Sequence, residues 1–125
     1  MKLVKLTKLT KTERLILFSL SQFYSSINQQ LVTKPLRLET SKITFIELLL
    51  QSKIITKQKR ALYKNLEILE DKKLIEYDNR MIKSTDSGLK MFQKIDREIN
   101  QFVDIKEYFK EIKKTKRKLQ TEINN

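Results

Sequence analysis

The sequence predicts a mainly α-helical domain that carries a small β-hairpin and continues into a long C-terminal helix. Three observations lead there. Apolar side chains recur at steps of three and four along most of the chain. One short segment, Leu74 to Ser84, drops that period for two strand-like runs. The 125 residues contain a single Gly and a single Pro, so little interrupts a helix. The length fits one domain with an appendage, and 39% hydrophobic against 34% charged residues supplies enough apolar surface for a real core.

Residues 1–9 set Leu3, Leu6 and Leu9 among lysines, a spacing that fits neither strand nor helix, and read as a basic N-terminal arm. Thr10-Lys11-Thr12-Glu13 has the capping-box spacing, in which the hydroxyl accepts from the third helical amide and the Glu reaches back to the cap. Ile16, Leu20, Phe23 and Ile27, widened by Leu17 and Tyr24, then line one face of a first helix running to about Ser26. Gln29 to Lys42, broken by Pro35 and by Glu39-Thr40-Ser41, reads as a long connection whose Leu31, Val32, Leu36 and Leu38 pack back onto the core. Thr44 with Glu47 repeats the capping-box spacing. It opens a short second helix ending near Ser52, with Phe45, Leu48 and Leu49 inward, Ile46 open to either side, and Ile43 as a one- or two-residue strand before it.

With Thr56 as N-cap, Leu62, Leu66 and Leu69 step by four and three along a third helix, Lys57 to Asp71. At about 100° per residue, Lys57, Arg60 and Lys64 project nearly opposite that seam, with Tyr63 and Glu67 flanking them. Leu74-Ile75-Glu76-Tyr77 and Met81-Ile82-Lys83-Ser84 are the two strand runs. Asp78-Asn79-Arg80 joins them, because Asp and Asn tolerate the positive φ of a tight turn, and Arg80 sits near its tip. Thr85-Asp86-Ser87-Gly88 starts a last helix, along which Phe92, Ile95, Ile99, Phe102, Ile105, Phe109 and Ile112 form one stripe. Two successive steps of three, Ile99 to Phe102 to Ile105, with Asp104 and Glu107 spaced to cap a new helix, leave one long helix or two. A homodimer would bury the stripe; a fold-back at Asp104 onto the domain's own surface is the alternative.

The counts of 27 Lys and Arg against 15 Asp and Glu leave a net charge of +12, which makes a polyanion, nucleic acid first, the default partner. The excess is uneven: residues 1–12 carry +4, 13–33 none, 34–64 +6, 65–104 −2 and 105–125 +4. A basic cluster confined to residues 34–64 points to one face, against the plainer reading of scattered solvated lysines. Lys113, Lys114, Lys116, Arg117 and Lys118 fit a solvated helix end as well as a contact.

Without His or Cys the chain builds no Ser-His-Asp or Cys-His site and lacks the usual structural zinc ligands, and a single Gly removes the P-loop and the dinucleotide fingerprint. Glu70 with Asp71 and Glu76 with Asp78 have nothing near them that suggests a pocket, so the expectation is a non-enzyme with no cofactor and no evident small-molecule ligand. The longest apolar runs, Leu15 to Phe18 and Leu48 to Leu50, fall far short of the roughly 20 residues of a membrane span, and no signal-peptide core follows the first lysines. The expected location is cytoplasmic, nucleoid-associated in a prokaryote, with no membrane partner.

Helix, helix, turn, basic helix, short hairpin, long helix resembles the winged helix-turn-helix superfamily. Ile43-Thr44-Phe45-Ile46-Glu47-Leu48-Leu49 is similar to the start of its second helix, and Leu69-Glu70-Asp71-Lys72-Lys73-Leu74-Ile75 to the end of its recognition helix. Ile82-Lys83-Ser84-Thr85-Asp86-Ser87-Gly88 resembles the wing's exit. The likeness covers about residues 10–95 and lies nearest the MarR-like repressors and the small archaeal winged-helix chromatin proteins with a terminal coiled coil. It implies a basic arm (1–9), a winged-helix domain (10–88) and a dimerisation helix with a basic tail (89–125).

The function implied is a dimeric double-stranded DNA-binding protein, either a transcriptional regulator or an architectural one. Its recognition helix, residues 57–71, lies in the major groove and its wing, residues 74–84, on the backbone or minor groove, with Lys57, Gln58, Lys59, Arg60, Lys64 and Arg80 on the DNA. Arg60 or Lys59 then pairs with guanine; Gln58 pairs with adenine or stays a satisfied amide at the core edge; Tyr63 packs on the second helix or touches a phosphate. The family usually has Gly where this chain has Lys73, so either Lys73 takes the left-handed conformation at about 1 kcal/mol or the turn differs. The rival reading is a winged-helix module that docks a protein, its charge serving solubility.

Overall fold

Capping and periodicity place the helices. The structure, a computed structural model, describes residues 8–29 and 39–114, so most of the basic arm, the connection containing Leu31, Val32, Leu36 and Leu38, and the tail beyond Lys114 lie outside the described residues. Among those described, the order is α1 (Lys11–Gln29), α2 (Lys42–Ser52), α3 (Lys59–Asp71), β1 (Ile75–Asp78), β2 (Met81–Ser84) and α4 (Asp86–Lys114). The described residues are mainly helical with one small antiparallel hairpin. Two compact units divide between Gln93 and Lys94, and α4 belongs to the first up to that point and to the second beyond it.

The capping box at the start of α1 is formed: Thr10 Oγ1 accepts from the Glu13 amide at 3.2 Å, and Glu13 Oε1 accepts from the Thr10 amide at 3.1 Å. Glu13 is buried and also meets Lys72 Nζ at 2.8 Å, which in turn donates to the Lys8 carbonyl at 2.8 Å. The start of α1 is thereby tied to the end of α3. Ile16, Leu17 and Leu20 of α1, Phe45, Ile46 and Leu49 of α2, Leu62, Leu66 and Leu69 of α3, and Leu74, Ile75 and Ile82 of the hairpin region form one buried cluster. Each such side chain contributes about 1.5 to 3 kcal/mol of transfer free energy when fully covered.

Several boundaries differ from the sequence reading. The first turn of α2 begins at Lys42, because Ser41 Oγ accepts from the Thr44 amide at 3.2 Å; Ile43 is helical, and the strand-like residue is Ser41, which bridges Met81. Phe45, Ile46 and Leu49, spaced three and four apart, share the buried face, and Leu48 falls outside it and is exposed. The N-cap of α3 is Gln58 rather than Thr56, so Lys57 precedes the helix. Strand β1 starts one residue late, since the Leu74 amide donates to the Leu69 carbonyl at 3.0 Å and its carbonyl accepts from the Thr85 amide at 3.1 Å. At Asp104 nothing breaks: α4 is one helix of 29 residues.

The hairpin pairs Ile75 with Ser84 through to Asp78 with Met81, and its turn holds both Asn79 and Arg80 at positive φ. A short stretch before α2 joins its outer edge, where the Ile82 amide donates to the Thr40 carbonyl at 3.0 Å. From α1, Tyr24 Oη donates to the Ile82 carbonyl at 2.6 Å and accepts from the Thr40 amide at 3.0 Å. Burial raises the Tyr24 phenol above its ordinary range. Lys73 takes the left-handed conformation at φ 61°, so of the two alternatives for this turn the strained one is adopted.

Candidate nucleic-acid interface

The apolar seam of α3 fixes which side chains face outward. With Leu62, Leu66 and Leu69 fully buried, Lys59, Arg60, Lys64 and Glu67 are left exposed, and Lys57 and Gln58 are exposed in the turn before it. Gln58 is therefore a solvent-facing cap residue and not a core-edge amide; its side chain makes no capping hydrogen bond. Tyr63 is half-buried against the core, and its ring lies 6.0 Å from Lys42 Nζ. That ammonium also stands 4.8 Å over the ring of Tyr77 on β1, so one cation of α2 bridges an aromatic of α3 and one of the hairpin.

The cations differ in what holds them. The side chains of Lys57, Arg60, Lys64 and Arg80 have no ion pair or hydrogen bond among the described residues. Lys59 Nζ lies 3.0 Å from Glu47 Oε2, and that hydrogen bond raises its pKa. On β2, Lys83 meets Asp78 at 3.2 Å and Glu39 at 4.0 Å, and its pKa is raised chiefly by the bond to Asp78. Arg80 sits at the exposed hairpin tip with φ 69°.

Sequence reasoning missed Lys53, the C-cap of α2, which is exposed at φ 59° in the turn leading to α3. Its signal was there in the basic run Lys53, Lys57, Lys59, Arg60, but a left-handed turn is usually sought by a Gly. The single buried side-chain polar atom without a partner among the described residues is Tyr77 Oη; burial, with Glu70 and Glu67 nearby, pushes this phenol up to about 12.

The apolar stripe of the last helix divides in two. Phe92 stacks on Phe18 at 5.2 Å within the first unit, and Ile95 is buried in the single chain. Ile99, Phe102, Ile105 and Phe109 are exposed, together with Val103 and Tyr108, while Ile112 is half-buried. No described helix is long and apolar enough to cross a membrane. Comparison of the chain with protein-family models, with curated proteins and with solved structures returned no match.

Proposed function

We propose that this chain is a non-catalytic, winged-helix-type protein that binds double-stranded DNA, with the N-terminal half of α3 in the major groove and the hairpin as wing. The observation that carries the reading is the chemical contrast across α3: a fully buried leucine seam inside it, and Arg60 and Lys64, with Lys57 in the turn before it, exposed without an acidic partner among the described residues. A face that served solubility alone has no need to gather its cations at one helix end while Glu67, Glu70 and Asp71 occupy the other. Arg60 has the guanidinium fork for guanine, and the lysines suit phosphate.

The test is a titration of random-sequence duplex across a salt series. About three phosphate contacts per protomer, from Lys57, Lys64 and Arg80, give a slope of log affinity on log salt near −2.7, at about −0.9 per contact. Arg60→Ala and Lys57→Ala weaken binding far more than Lys113→Ala, with unchanged circular dichroism. Salt-independent affinity, or equal losses from all three, removes the reading and favours a protein-docking module. The second part of the proposal is a homodimer through the exposed Ile99, Phe102, Ile105 and Phe109, a stripe that soluble monomers seldom leave open.

A further inference from the structure

A carboxylate stands among the cations at the basic end of α3. Glu47 Oε2 lies 3.0 Å from Lys59 Nζ, and the two side chains are 46% and 54% exposed. Its place in the sequence suggested a capping box with Thr44, but α2 begins at Lys42 with Ser41 as its cap, so Glu47 lies beyond the first turn and caps nothing. Helix propensity does not call for it either, since Gln serves a helix about as well as Glu. An ion pair this exposed adds little to stability. What the pair does determine is where the Lys59 ammonium rests, beside Lys57, Arg60 and Lys64, which have no such partner among the described residues.

Building on the DNA-binding reading, we infer that Glu47 is a positioning residue for that surface: its carboxylate holds the Lys59 ammonium against α2, so that Lys59 reaches a phosphate only by giving up the ion pair. Glu47 then sets how tightly the surface grips phosphate in any sequence. Contacts to base edges from Arg60 do not pass through that exchange, so the carboxylate lowers background binding while leaving sequence readout in place.

The experiment is a double-mutant cycle on the full chain, with Glu47→Gln, Lys59→Ala and the pair, each titrated against a random-sequence duplex over a salt series. Glu67→Gln, an equal charge change farther along α3, is the control. Expected for Glu47→Gln is binding about two- to fivefold tighter at low salt, the range of an exposed ion pair. Its salt slope steepens by about 0.9, one further phosphate. In the Lys59→Ala background the same substitution does no more than Glu67→Gln. Three results overturn the inference: wild-type affinity in Glu47→Gln, a gain that persists without Lys59, or a gain equal to the control's. A wild-type chain that binds no duplex overturns the DNA reading and this inference together, whereas wild-type binding with an inert Glu47→Gln overturns the inference alone.

Discussion

Gly88→Ala tests the packing of the first unit at its tightest point. The only glycine of the chain is not in a turn; it is buried in the first turn of α4, where a Cβ would run into the Leu74 carbonyl oxygen and stand 3.1 Å from its carbon. That carbonyl cannot retreat freely. It accepts from the Thr85 amide at 3.1 Å, its own residue's amide is held by Leu69 at 3.0 Å, and the Leu74 side chain is fully buried. Alanine favours a helix interior over glycine by up to about 1 kcal/mol. Against this, forcing a methyl into a packed site costs typically about 1 to 3 kcal/mol, and stretching the Thr85 bond about 1 more. The expected net loss is about 2 kcal/mol, or roughly 10 °C in Tm for a unit of this size. Urea denaturation followed by circular dichroism should show a lower midpoint at unchanged slope, while the exposed neighbour Ser87→Ala stays near wild type. A Gly88→Ala protein as stable as wild type, or about 1 kcal/mol more stable, would refute the close approach and leave helix propensity in control.

Tyr77→Phe keeps the ring beneath Lys42 and removes the unpartnered buried hydroxyl, so it should stabilise by about 1 kcal/mol in the same denaturation assay; a clear loss would mean the hydroxyl has a partner. Because burial lifts this phenol from 10.0 to about 12, the neutral form is the one the fold prefers. Its stabilisation is present below pH 10 and lost on rising toward 12, and Tyr77→Phe should lose less stability over that window than wild type. Glu13→Ala removes a cap and strands the Lys72 ammonium, at about 2 to 3 kcal/mol, whereas Glu13→Gln retains the capping bond and costs less; equal losses would assign the whole effect to charge. Sedimentation equilibrium should find a dimer at micromolar concentration that Phe102→Asp converts to monomer, and a monomeric wild-type chain would refute the pairing of that stripe.

The four described helices and the hairpin are legible in the sequence because each is a local matter of period and cap. Thr10 with Glu13 opens α1, the seam Leu62, Leu66, Leu69 orients α3, and Asn79-Arg80 closes the hairpin as their positions suggest. What escaped were features set by distant partners. Thr44 with Glu47 has the spacing of a capping box, but Ser41 takes the cap because its backbone also bridges Met81, 40 positions on. Glu47 turned instead to Lys59 on the neighbouring helix. Gly88 looked like a common helix-start residue, and only the Leu74 carbonyl reveals why a side chain does not fit. The candidate cations were legible as a cluster, while the division between held and unheld ones required the folded arrangement.

Lys53, Lys73, Asn79 and Arg80 occupy left-handed backbone at the joints between elements. A glycine at such a joint samples a broad basin and gives a soft hinge; a residue with a Cβ is confined to a narrow one, at a strain of about 1 kcal/mol. The turns before α3, after it and at the hairpin tip thus carry residues with fewer unfolded conformations than glycine. Each of these turns therefore surrenders less backbone entropy on folding than a glycine there would, which offsets part of its strain.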